Sequence, residues 1–493
     1  MWKRYIEPGH FSLSVLTQTK YGVIIGIIYA NSEVILLRRS SEETLKAWYL
    51  RAPRKPLLVR GARQVGKSTL VRQLARGLNV PLWEVNLERH TGLDSVFGTF
   101  DISRILLEIS IATNLGGVAR GPGILFLDEI QAAPKALAAL RYFYEDRPEI
   151  AVIAAGSLLD FALVKAGFSM PVGRIEYHWM GPMTFFEFLD ALSENLLLET
   201  LLTFKAGDIL PAVAHERLLS LLREFLFVGG MPEAVVRFAG NKDPTEVTET
   251  HRSILETYRD DFSKYASGAE LEKLRHVYER LPSNIAEKVR FNRFHPDWKS
   301  SDIRRCLELL QRAGICSAAL HSEGGSVPLG ATEDPTVAKL FHLDVGLVGT
   351  ATGLGLMPLE TFVKGRFINE GSHAEQFVAQ HLLRMGPASQ KPSLYCWQRG
   401  GRGTNAEVDF LAQKGATVLP IEVKSGSSGS LRSLHQFMLH HPGGAAVRLD
   451  TNPPTRQDIR TEVMTAGGKV PAQYRLVNLP LYMVERTFEL TAD

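Results

Sequence analysis

Pro56-Leu57-Leu58-Val59-Arg60-Gly61-Ala62-Arg63-Gln64-Val65-Gly66-Lys67-Ser68 is the stretch on which the fold turns. Pro56 to Arg60 reads as a short buried strand, and residues 69–75 are apolar at helical spacing. Strand, glycine loop and helix in that order give G-x4-G-K-S a structural context. Gly61 and Gly66 permit backbone conformations that aim successive N–H groups at an anion, and a helix starting at Lys67 adds its positive end. Lys67 is expected to reach the β- and γ-phosphates of ATP, and the Ser68 hydroxyl to ligate Mg2+. The expected nucleotide contacts are Gly61, Ala62, Arg63, Gln64, Val65, Gly66, Lys67, Ser68 and Thr69.

Downstream, Gly123-Ile124-Leu125-Phe126-Leu127-Asp128-Glu129 places four apolar residues before two adjacent carboxylates. Such a run predicts a strand buried on both faces. Asp128 at its end is expected to hold the magnesium shell, while Glu129 points elsewhere and polarises the attacking water. The gap leaves room for a second strand at 81–87 and for helices. A further strand at 151–155 ends at Gly156-Ser157. Functional groups gather at the carboxyl ends of strands in open α/β sheets, so Ser157 is placed to sense the γ-phosphate or the water. Capping the next helix is the other reading of that hydroxyl, and the two are compatible.

At 493 residues the chain is too long for one core and suggests about three domains. Its composition, 45% hydrophobic and 22% charged, is that of a soluble globular protein. A net charge of +3 leans only weakly towards anionic partners and does not by itself carry a nucleic-acid reading. Cys306, Cys316 and Cys396 are widely spaced without a CxxC pair, which argues against a zinc site or disulfides and fits a reducing cytoplasm. The apolar run YGVIIGIIYA at 21–30 is half the length of a membrane span and is followed by Asn31 and Glu33. It reads as a strand or an upstream extension rather than a secretory signal, with no membrane association.

These motifs resemble the bacterial and archaeal AAA-superfamily ATPases that carry a C-terminal domain of unknown function. Arg60 to Lys67 and Leu127-Asp128-Glu129-Ile130-Gln131 are similar to that family's nucleotide motifs. Gly173-Arg174, Pro182-Met183-Thr184-Phe185 and Glu187-Phe188 are similar to the segment after its sensor strand. Gly229-Gly230-Met231-Pro232-Glu233 and Leu343-Asp344-Val345-Gly346-Leu347 recur in it, as do Glu407-Val408-Asp409-Phe410 and Ile421-Glu422-Val423-Lys424-Ser425-Gly426. The loop ends in serine where threonine is commoner, and either hydroxyl serves magnesium. The resemblance implies an AAA+ core that self-associates into a ring, with a hexamer expected, followed by a helical lid. It also makes Arg174 the candidate arginine finger, supplied across a subunit interface to the γ-phosphate. An ordinary surface salt bridge is the competing reading of Arg174. Arg237 is a weaker candidate for touching the nucleotide.

Beyond the core, Leu218, Leu219, Leu221, Leu222 and Phe225 form an apolar stripe that stops at Gly229-Gly230, as a lid or connector helix would. Helices over 272–281 and 301–313, then strands at 315–321 and 339–344, read as a winged helix, which the resemblance also implies. Lys299, Arg304, Arg305 and Arg312 are its candidate DNA phosphate contacts. Asp302 and Glu308 share that surface, so a winged helix that only packs domains together competes with one that reads DNA.

At the C-terminal end, Glu375 lies on a helix over 374–383, and strands follow at 394–398, 406–411 and 418–423. Residues two apart on a strand share a face, so Glu422 and Lys424 point together. Asp409 with Glu422-x-Lys424 resembles the PD-(D/E)xK restriction-endonuclease-like superfamily, in which carboxylates hold magnesium and lysine activates water. Glu375 matches its accessory acidic residue. Glu375, Asp409 and Glu422 with Lys424 are thus a candidate second metal site. The alternative is a relic in which Asp409 and the Glu422–Lys424 pair form a partly buried ionic network.

The expected fold is therefore α/β multidomain. An N-terminal extension (1–40) precedes an AAA+ P-loop NTPase core (41–195) and a helical lid (196–270). A winged helix (271–350) and a PD-(D/E)xK-like α/β domain (351–493) follow. The leading expectation is a cytoplasmic ATPase that remodels DNA, with Lys67, Glu129, Ser157 and Arg174 catalytic. A nucleotide-controlled switch or scaffold for a protein partner, and a magnesium nuclease gated by ATP, are the alternatives.

Overall fold

Five strands, β1 (Leu57–Arg60), β2 (Leu82–Asn86), β3 (Ile124–Asp128), β4 (Ala151–Gly156) and β5 (Glu176–Trp179), pair in parallel in the order β2-β3-β4-β1-β5. They belong to a computed structural model that describes residues 29–30, 33–34, 37–118, 120–159, 161, 173–364, 370–399, 406–426, 429–442, 444–465 and 467–492. Of the apolar run at 21–30, Tyr29–Ala30 pairs with Glu33–Val34, and the remainder lies outside the described residues. No helix among the described residues is long and apolar enough to cross a membrane.

Every residue of β3 and β4 is buried, as expected of apolar runs covered on both faces. Alternation along the strands divides the side chains between two cores. Leu58, Leu125, Leu127, Val152 and Ala154 face Ala136, Leu137, Leu140 and Phe143 of the helix Pro134–Asp146. Leu57, Val59, Ile124, Phe126 and Ile153 face the other way, into a core that includes Leu70 and Leu74 of α1 (Lys67–Gly77). That second core continues through Leu218 and Phe225 of α2 (Ala212–Val228), Ile303 and Leu310 of α3 (Ser300–Arg312), and Phe377 of α4 (Glu370–Met385). One face of the parallel sheet thus packs on the helix Pro134–Asp146, and the other, where α1 lies, is the floor on which the rest of the chain is built.

The two glycine-containing motifs of the middle region meet in space. α2 stops at Gly229, whose φ of +69° favours glycine and whose Cβ, if present, would lie 2.1 Å from Asp344 Oδ1. Fully buried Asp344 accepts hydrogen bonds from Gly230 N (2.6 Å), Gly346 N (3.0 Å), Leu347 N (3.2 Å) and Gln380 Nε2 (3.0 Å). Its carboxylate caps the helix Val345–Ala351 and docks it on the end of the lid helix.

A second sheet contains β6 (Cys316–Ser322), β7 (Glu333–His342), β8 (Leu394–Gln398), β9 (Glu407–Lys414), β10 (Thr417–Val423), β11 (Ala445–Asp450), β12 (Thr455–Thr465) and β13 (Gly468–Pro480). Their order is β12-β13-β11-β10-β9-β8-β6-β7, which leaves β12 and β7 at the edges. The parallel pair β6–β8 joins the hairpin β6–β7 to the later strands, so the sheet crosses the boundary expected at residue 350 without a break. α4 then ties this half to the first sheet. His381 Nε2 accepts from Phe185 N (2.8 Å), and the Arg384 guanidinium donates to Trp179 O (2.9 Å). Near the end of the chain, Glu485 accepts from Phe186 N (2.9 Å).

Candidate nucleotide site and a carboxylate cluster

Gly61 and Gly66 have φ of +149° and +93°, and a Cβ on Gly61 would lie 2.1 Å from Met180 O. Only glycine lets the chain leave β1 so close to Met180, just past the end of its neighbour β5. The loop folds back on itself: Lys67 Nζ donates to Gly61 O (3.1 Å) and Ala62 O (2.7 Å). Burial pulls the Lys67 ammonium down to about 8; Glu129 and Asp128 oppose this and Arg63 adds to it. Ser68 Oγ donates to Asp128 Oδ2 at 2.8 Å. Burial raises the Asp128 carboxyl above its ordinary range, partly offset by the Ser68 hydroxyl. Val65 is buried, Gln64 is exposed at φ +61°, and Thr69 is exposed on α1.

Glu129 sits in the left-handed region at φ +53°, uncommon for a residue with a side chain, and its carboxylate accepts from Gln131 Nε2. The Ser157 hydroxyl is buried and, among the described residues, has no partner; neither has Gln131 Oε1. Orphaned buried polar atoms are uncommon and point to a ligand or water. Magnesium takes oxygen ligands, and the Ser68 hydroxyl beside the Asp128 carboxylate is a donor pair that fits it.

Arg39, Gln131 and Arg63 complete the frame. Arg39, from the segment read as an extension, donates to Val65 O (2.8 Å) and Gly181 O (2.7 Å) and pairs with Glu187 at 3.0 Å. Both charges are buried, so removing one costs about 3–5 kcal/mol. Gln131 holds Glu129. Arg63 pairs with Asp261 (2.5 Å), and Tyr258 Oη donates to Arg63 O (2.8 Å), so the lid helix Pro244–Asp261 grips the loop tip. No local pattern marked Arg39, whereas Gln131 stood inside the Leu127–Gln131 motif.

Arg174 pairs with Glu145 at 2.8 Å on the surface of the core. Arg237 lies 4.0 Å from Glu246, and both are partly exposed. On α3, Arg305 pairs with Glu270, Arg304 lies 5.6 Å from the Phe291 ring centre, and Lys299 and Arg312 are exposed. Arg312 also lines a cavity of about 140 Å³ with Gly61, Ala62, Gly156, Met180 and Arg384. There the turn after α3 backs onto the loop, and a Cβ on Gly314 would stand 3.4 Å from Ala62.

Residues 53–189 match the family described as AAA domain. The chain carries an AAA domain. Such a domain binds nucleotide and in general hydrolyses ATP. Residues 219–357 match a domain of unknown function (DUF8612), and residues 370–464 match another (DUF4143). The chain is similar to the Walker-type ATPase PABY2304 of Pyrococcus abyssi. The identity is 15% and the TM-score 0.41, over 64% of this chain and 96% of that one. No curated protein matches the sequence.

Outside the AAA domain, the C-terminal carboxylates converge, but on an ammonium ion. Lys339 Nζ, from β7, bonds Glu375 Oε2 (2.8 Å) and Asp409 Oδ1 (3.1 Å) and pairs with Glu407. Burial opposes the charge on Lys339, yet Asp409, Glu375 and Glu407 outweigh it and hold the ammonium well above its ordinary value. Burial, reinforced by Asp409, pushes the Glu375 carboxyl up. Asp409 Oδ2 accepts from Val423 N (2.8 Å), and Lys424 pairs with Glu422 at 2.6 Å. Among the described residues, no three His, Cys, Asp or Glu are arranged to hold a metal ion. Lys339 had not been singled out, because nothing on β7 announces what its side chain meets.

Proposed function

We propose that this chain is an oligomeric AAA+ ATPase that couples Mg-ATP hydrolysis to DNA binding and remodelling. The observation that carries the ATPase half is the convergence of Lys67, Ser68 and Asp128 at the carboxyl ends of β1 and β3, with Glu129 one residue beyond. Here the backbone from Gly61 to Lys67 cradles the phosphates, and Lys67 exchanges its two carbonyl partners for phosphate oxygens. Ser68 and Asp128 hold magnesium, which neutralises phosphate charge. Glu129, steadied by Gln131, orients water, and the unpartnered Ser157 hydroxyl contacts the γ-phosphate or that water. Arg174, within a surface ion pair, is available to a neighbouring subunit of a ring. Exposed Leu107 and Ile111 on the helix Ile102–Thr113 offer apolar surface for such an assembly.

For the DNA half, helix–helix–hairpin order supports a winged helix, and Arg304 and Arg305, with Ser300, Ser301 and Glu308, line one shallow groove on the outer face of α3. Asp409 and Glu422-x-Lys424 on the paired strands β9 and β10 support a restriction-endonuclease-like domain beside it. The test is ATP turnover over a panel of duplex, branched and single-stranded DNA, with Glu129→Gln as control. Turnover should rise with at least one DNA, in a salt-sensitive way. Glu129→Gln should bind nucleotide normally while hydrolysis falls about 100-fold or more.

One observation favours a second reading, an ATP-controlled switch for a protein partner. Lys273–Asp302 and Arg305–Glu270 neutralise part of the α3 surface, while Ile209 and Val213 stand exposed on the lid. Turnover indifferent to every DNA, combined with ATP-dependent assembly, would select it.

A further inference from the structure

We propose that Lys339 is a built-in counter-ion that occupies the metal position of the nuclease-like domain, so that its carboxylates fasten the β6–β7 hairpin instead of cutting phosphodiesters. The lysine comes from within residues 219–357, whereas Glu375, Glu407 and Asp409 lie within residues 370–464. The bond therefore joins two separately recognised segments of the chain. The Lys339 side chain is 3% exposed, and its Nζ meets oxygens of three carboxylates, as many as an ammonium has protons to give.

The carboxylates that converge here are each already engaged by a cation or a backbone N–H. Of Asp409, one oxygen serves Lys339 and the other accepts from Val423 N. Glu422 is taken by Lys424 and keeps one buried oxygen without a partner among the described residues. Magnesium needs several oxygen ligands in near-octahedral array, and the point where Glu375, Glu407 and Asp409 converge is held by the ammonium. For an ion to enter, Lys339 would have to withdraw, yet β7 is held by its ladder with β6, including Lys339 opposite Ala319. An arrangement of this kind fixes geometry rather than activating water. It locks the hairpin that follows α3 against α4 and β9, and does not depend on whether the chain acts on DNA.

The test uses the full chain without nucleotide, titrated with Mn2+ and followed by electron paramagnetic resonance. The wild type should show no tight Mn2+ that Asp409→Asn removes, and its melting temperature should be the same in EDTA and in magnesium. Lys339→Ala should gain a Mn2+ site, tighter by about tenfold or more, that a second substitution, Asp409→Asn, abolishes. Should Lys339→Ala not fold, Lys339→Gln keeps a donor, without the charge, on a side chain one atom shorter, and the wild-type titration decides by itself. Tight Mn2+ in the wild type lost on Asp409→Asn but kept on Lys67→Ala would overturn the proposal, as would magnesium-dependent DNA cutting with the same sensitivity.

Discussion

Lys67 has a pKa set by two opposing surroundings. In the folded loop its ammonium is buried against carbonyls and falls to about 8, whereas in the unfolded chain it titrates near its ordinary value. A depressed value means that its contribution to the stability of the fold is present above the unfolded pKa and is lost as pH falls through about 8. Nucleotide binding reverses the preference, because phosphate needs the charged form. Affinity should therefore be level below pH 8 and decline above it by up to about tenfold per unit, with proton uptake on binding. Fluorescent-nucleotide titrations on either side of pH 8 check this, and a flat profile would mean that Lys67 does not meet the phosphates. At this scale the loop was legible because its residues act on their neighbours in sequence. Arg39 and Lys339 were not: Arg39 meets Glu187 at a separation of 148 residues, and Lys339 meets Asp409 at 70.

Among the elements, the join between α2 and the helix Val345–Ala351 is the most exposed to a single change. Gly229→Ala places a methyl group 2.1 Å from Asp344 Oδ1 at a left-handed φ, so a buried carboxylate with four hydrogen-bond donors must move. The cost should be about 2–4 kcal/mol, read from the midpoint of urea unfolding. An unchanged midpoint would show that the join tolerates displacement. The glycine stop was readable from sequence, but its partner was not, since helix-stop chemistry says nothing of what fills the space beyond. β1, β3, β4, β8, α3 and α4 lie within a few residues of where apolar periodicity placed them. The long hairpin β12–β13 escaped because β12 is polar and exposed along most of its length, and its pairing supplies the order that its pattern lacks.

Across the whole molecule, the floor shared by both halves decides how the chain can be divided. Phe377 and His381 of α4 pack against Phe225 of the lid, and His381 also accepts from Phe185 next to β5. A chain ending before Glu370 should leave these apolar faces open, at about 1.5–3 kcal/mol for each large side chain uncovered. We expect it to be insoluble or to melt without cooperativity; a soluble fragment with a sharp calorimetric transition would show that the AAA domain stands alone. Composition and length could not reveal that one sheet runs across the boundary expected at residue 350. Among the described residues that sheet ends at β12, which pairs with β13 alone. Arg456, Asp458, Arg460 and Glu462 stand exposed along it with alternating sign. Another copy docking there backbone to backbone would have to strip water from all four, so the rim that most invites fibril-like stacking is guarded by its own charges.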